Sequence, residues 1–173
     1  MKKFSIIIFT LILGFSTAAA QTSDIQDTFF GVRFGTSQEA AGTILMRKGI
    51  IAISDYNRLG LYEVTLGGYE WRHVTMHFND YGLYRVYLEC NFNSRDNALS
   101  MFNRLFSNLT RIYGSYSSSD FSSLNDKAYM FMDDERMCAL VFIYGESKGG
   151  DMFYYVTLDY CDMNLYNKTV DEL

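Results

Sequence analysis

The sequence predicts an α+β fold: an antiparallel sheet with two principal helices packed on one face. Three observations lead there. Two segments repeat apolar residues at threes and fours between recognisable caps, as amphipathic helices do. Several others alternate apolar and polar residues, as half-buried strands do. Short polar or glycine-bearing turns separate them, which favours antiparallel neighbours. The order is a helix and three or so strands, then a second helix and three more. "YRVYLE" at 84–89 and "YYVTLD" at 154–159 are alike, which suggests a diverged tandem of one helix-then-strands unit.

The chain opens "MKKFSIIIFTLILGFSTAAA": two lysines, an apolar run and small residues before Gln21. That is the order of a cleavable secretory signal over residues 1–20, leaving 21–173 as a single α+β domain in the periplasm or secreted, soluble after cleavage. The run is short for a bilayer span and no later one is longer, so no transmembrane segment is expected. Without the two signal lysines, 13 basic residues stand against 20 acidic ones, a formal charge of −7. A phosphate backbone would meet mostly like charge, so no nucleic-acid partner is expected.

Each element carries its own signals. In "GTSQEAAGTILMRKG", Thr36 with Glu39 makes a capping box, Ala41, Ile44 and Leu45 form the stripe, and Gly49 closes a helix over 37–48. Gly42 inside it costs about 1 kcal/mol relative to alanine. "IAIS" and "LYEVTLGG" read as short strands about a turn. "RHVTMHF" sets Val74, Met76 and Phe78 against His73, Thr75 and His77. After the turn "NDYG", "LYRVYLECNF" sets Tyr84, Val86, Leu88, Cys90 and Phe92 against Arg85, Tyr87, Glu89 and Asn91. Ala98, Met101, Phe102, Leu105, Leu109 and Ile112 give the strongest helix, over about 96–113, stopped by Gly114. "SYSSSDFSSLND" reads as a surface loop. "KAYMFMD", "MCALVFIY" and "MFYYVTLDYC" form a meander, the last with Tyr154, Val156, Leu158 and Tyr160 opposite Tyr155, Thr157, Asp159 and Cys161; the polar tail reads as frayed.

At "FFGVRFGTSQEAAGTILMRKG", residues Phe34, Gly35, Thr36, Ser37, Glu39 and Leu45 carry a resemblance. The stretch resembles the repeat start of small exported proteins of Bacteroidetes type, of unknown function, and the wider group with the beta-lactamase-inhibitor-protein-like fold that includes the SmpA/OmlA outer-membrane lipoproteins. The resemblance implies a helix packed on an antiparallel sheet, often in tandem, and a role in binding proteins through a concave sheet face. The motif itself is structural, since its threonine caps a helix.

The candidate chemistry lies on the polar sides of the strands. His73 and His77 are i and i+4 on one strand, about 13 Å apart, too far to hold one ion together. No metal and no cofactor are expected, and no phosphate loop, nucleophile elbow or zinc-protease pattern occurs. Glu89 and Asp159 on matching strands would make an acid/base pair only if a cleft joined them, which is the reading as a small exported hydrolase. Three cysteines allow one bridge, Cys138 with Cys161, if the last two strands form a hairpin; three buried thiols is the other reading. The aromatic load is high, with 14 Phe and 14 Tyr. Trp71, His73, His77, Arg85, Tyr87 and Tyr155 are assigned to the non-core face, and Tyr, Trp and Arg are the types that anchor interfaces. The expectation is a non-enzymatic exported module that binds a secreted or cell-envelope protein through that face, with a glycan or peptide ligand as the alternative.

Overall fold

The computed structural model describes residues 24–121, 126–144 and 152–170. Residues 1–23, 122–125, 145–151 and 171–173, among them the expected secretory signal and the expected turn "GESKGGD", lie outside the described residues. A two-stranded hairpin, β1 (Thr28–Phe29) and β2 (Val32–Arg33), precedes α1 (Gln38–Arg47). Then come β3 (Ala52–Asp55), β4 (Arg58–Leu66), β5 (Tyr69–Asn79) and β6 (Gly82–Phe92), followed by α2 (Arg95–Tyr113). The chain continues through β7 (Ser117–Phe121), β8 (Asp126–Met132), β9 (Arg136–Tyr144), β10 (Tyr154–Asp162) and α3 (Met163–Val170). The fold is α+β with one large antiparallel sheet in the order β3-β4-β5-β6-β10-β9-β8-β7.

That order is a palindrome of two four-strand meanders, each entered from a helix and joined along β6 and β10. Leu88 pairs with Leu158 at the seam, and these are also the equivalent leucines of the two similar hexapeptides. A residue that faces its own equivalent marks the position of a local two-fold relation.

One face of the sheet is the core. Leu59, Leu61, Val74, Met76, Val86, Leu88, Val156, Leu158, Leu140, Cys138 and Phe131 lie on it, brought together by the register, and all are buried. Helix α2 joins this cluster through Ala98, Met101, Phe102, Leu105 and Leu109, and α1 through Ala41 and Leu45. Truncating any one of the leucines to alanine leaves a cavity and costs about 2–5 kcal/mol. The β1–β2 hairpin supplies Phe29, whose ring lies 4.9 Å from that of Tyr160.

Several details depart from the sequence reading. The cap of α1 is Ser37 and not Thr36: its hydroxyl accepts from the Ala40 amide at 3.4 Å. The preceding "F-G-T" is held differently, because the Gly35 amide donates to the Leu83 carbonyl and the Leu83 amide to the Thr36 carbonyl. Gly82 lies so close to Gly35, with φ at +107°, that any Cβ there would collide with backbone. The serine-rich stretch expected as a loop contains β7, paired with β8 from Ser117↔Met130 to Phe121↔Asp126. The tail expected to fray forms α3, whose Leu165 amide is capped by Asp162 and whose Leu165 carbonyl accepts from Asn79.

Two irregularities change which side chains face the core. Between His77↔Arg85 and Phe78↔Leu83, β6 has one residue more than β5, and the extra residue is Tyr84. It leaves the core side, where alternation had put it, and turns its ring toward His77 (6.3 Å) and Tyr166 of α3 (6.1 Å). At the far end of β4 and β5, Leu61 and Val64 both pack inward although they are three positions apart, and so do Trp71 and Val74. A period of two cannot do that without slipping once. The slip falls at Glu63, which has φ at +51°.

Candidate functional site

The slip at Glu63 decides the fate of Trp71. Alternation from His73 assigns it to the open face, yet it is 2% exposed, joins the core cluster and donates its indole N–H to the Leu66 carbonyl at 3.3 Å. Trp71 is therefore structural. The other five candidates are carried by register on the face opposite α1 and α2.

Their arrangement is a grid of cross-strand rows. One row runs Tyr62, His73, Glu89, Thr157, Val141, Ala128. The next runs Gly60, Thr75, Tyr87, Asp159, Ala139, Met130, and a third Arg58, His77, Arg85, Cys161, Met137, Met132. Tyr155 stands beside Asn91 beyond the first row. The β4, β5, β6 and β10 half is thus polar and aromatic, whereas the β8 and β9 half is apolar. Sequence reasoning missed Tyr62 and the methionines Met130 and Met132, because their facing depends on strand pairings that no single strand reveals.

The polar half is internally bonded. Arg85 grips Asp159 with two prongs, Nε to both oxygens and Nη2 to Oδ2 at 2.6 Å, so that carboxylate is occupied. The Tyr87 hydroxyl donates to Glu89 at 3.2 Å, and partial burial, with the Glu89 charge adding, pushes its pKa up to about 12. His73 stacks on Tyr62 with ring centroids 4.8 Å apart and planes 16° from parallel. His77 is pushed down to about 4, first by burial and then by the cations Arg85 and Arg58. It is a neutral imidazole at physiological pH. His73 and His77 do not meet: Thr75 stands between them along β5.

Cys138 and Cys161 lie on neighbouring strands, as the hairpin predicts, but do not pair. Cys138 faces the core opposite Tyr160, while Cys161 faces the other side opposite Met137, so the sheet separates their sulfurs. All three cysteines are free thiols. This corrects the expected bridge. Burial raises the Cys161 thiol to about 11 and the Cys138 thiol further still, so neither is a ready nucleophile.

Among the described residues no group of three or more His, Cys, Asp or Glu is placed to hold a metal ion. No described helix is long and apolar enough to cross a membrane. Comparison with known proteins finds no matching family model, no matching curated protein and no matching solved structure.

Proposed function

We propose that the chain is an exported, non-enzymatic binding module that seats a secreted or cell-envelope protein on the open face of its sheet. The observation that carries the reading is the composition of that face. Half-buried Tyr87, Tyr155, His73 and Arg85 lie beside a strip where Met130 and Met132 are 37% and 60% exposed. Flat aromatic and guanidinium groups next to flexible thioethers suit a protein interface, since they bury large areas at modest ordering cost. Helices α1 and α2 contribute to the opposite face, and α3 borders this one near Tyr84.

The hydrolase alternative asks Glu89 and Asp159 to exchange protons across a cleft. Asp159 is tied up by Arg85 and Glu89 accepts from Tyr87, so neither carboxylate stands ready to act as a base. The palindromic strand order and the Leu88–Leu158 pair support descent from a duplicated helix-and-strands unit. The amino-terminal segment supports export.

The test is affinity capture from the envelope and secreted fractions of the native host, with Tyr87→Ala and Tyr155→Ala variants beside the parent. A specific protein retained by the parent and lost by both variants is the expected result. An unchanged set of retained proteins would rule out this face.

A further inference from the structure

A second surface lies at the edge of the sheet. Strand β3 is the outermost strand, and among the described residues nothing pairs with its outer side. The Phe78 amide donates to the Asn57 carbonyl, so Asn57, Leu59 and Leu61 bond toward β5, and the alternate residues Arg58 and Gly60 bond to Asp55 and Ile53. The N–H and C=O groups of Ala52 and Ser54 therefore point outward. Natural sheets blunt such edges with charge, proline or a covering element. Residues 50–54, "IIAIS", contain no charge and no proline, and Ile51 and Ile53 are 85% and 58% exposed.

Beside this edge runs a groove of about 760 Å³ between β3 and α1. Gly42, Met46, Ile50 and Leu59 line it, Tyr56 and Glu39 stand at its rim, and Gln38 bonds across it to the Ser54 hydroxyl at 3.1 Å. Gly42 weakens the helix by about 1 kcal/mol relative to alanine. A Cβ built there would meet nothing within 4 Å, so packing does not require the glycine. It keeps the groove open.

We propose that this edge and groove form a peptide-binding site that accepts an extended segment of a partner protein as an added strand, with bulky apolar side chains at alternate positions. The outward groups of Ala52 and Ser54 supply two pairs of backbone hydrogen bonds, and side chains opposite them enter the groove. A second copy of this chain fits less well. Pairing β3 with β3 would place only Ala52 and Ser54 side chains over the groove, leaving it largely empty, and would bring together two molecules that both carry net negative charge. The carboxylate of Glu39 favours a basic residue at the end of the peptide near the start of α1.

The probe is a fluorescein-labelled hexapeptide alternating leucine with threonine and ending in lysine, titrated with the full chain by fluorescence polarisation. A twin peptide methylated on the leucine amides keeps the side chains and loses the strand hydrogen bonds. Gly42→Leu places a bulky side chain where a Cβ meets nothing within 4 Å, and circular dichroism verifies that the variant folds. The expected result is saturable binding, weakened about tenfold or more both by the methylated peptide and by Gly42→Leu. No saturation below about 1 mM would overturn the proposal, as would equal binding of the methylated peptide or of Gly42→Leu. A concentration-dependent dimer in sedimentation that Ile53→Lys abolishes would assign the edge to a second copy and overturn the peptide reading.

Discussion

Trp71 tests the strand slip at Glu63 directly, because it is the only tryptophan in the chain. Had alternation continued unbroken, the indole would stand on the open face and Trp71→Ala would cost about 0.5 kcal/mol, as surface substitutions do. The structure instead buries it in the core, with Tyr69 as an aromatic neighbour at 6.5 Å and its N–H bonded to a carbonyl. Removing it deletes the largest fully buried side chain among the described residues and leaves a cavity. The expected loss is about 3–5 kcal/mol, a large share of the stability of a domain this size. Urea denaturation followed by circular dichroism measures it. Native emission of the parent should be blue-shifted and weakly quenched by iodide, with quenching restored in urea. A loss below about 1 kcal/mol, together with strong native quenching, would refute the slip and return Trp71 to the open face.

Three other outcomes follow from the same geometry. His77 is depressed to about 4 in the folded chain against about 6.5 unfolded, so the unfolded state binds the extra proton between those values. Stability should therefore fall as pH drops from about 6.5 toward 4, by about 1–2 kcal/mol once the ring's partial exposure is allowed for; His77→Gln should flatten that part of the curve. Arg85→Ala removes the two-pronged partner of Asp159, whose side chain is only 13% exposed, and should cost about 1–3 kcal/mol. It should also raise the His77 pKa, read by NMR, because one of the two nearby cations has gone. All three thiols should react with a thiol reagent after denaturation without reductant, and Cys138 should not react in the native state. Detection of a Cys138–Cys161 bridge by mass would contradict the register.

The parts of the fold that were legible in sequence rested on uninterrupted periodicity. Helix α2 could be read almost residue by residue because five buried positions recur at threes and fours between Ser94 and Gly114. In β10 Val156, Leu158 and Tyr160 face the core as their alternation indicates, although Thr157 and Cys161 on the other face are buried as well. Where a strand carries an extra residue or a slip, the pattern before and after looks equally regular, and only the partner strand reveals the change. That is why alternation alone places Tyr84 and Trp71 on the wrong sides. The disulfide failed for a related reason: adjacency of β9 and β10 is readable, but parity across their pairing places Cys138 and Cys161 on opposite faces. Strand β7, Ser117–Phe121, is obscured in the sequence because "SSSDF" carries no alternation of apolar and polar residues. Edge β3 and the groove beside α1 depend on strand order, which no local pattern encodes.

Methionine methyl NMR tests most directly whether the open face engages a partner. Met130, Met132 and Met137 lie on that face, Met76 and Met101 are buried on the other side, and Met46 lines the groove beside β3. Titration with the protein retained in the capture experiment should shift or broaden the first three methyl signals and leave Met76 and Met101 in place, with Met46 reporting separately on the edge site. Perturbation confined to Met76, Met101 or Met46, with Met130 and Met132 unmoved, would contradict the assignment of function to this face.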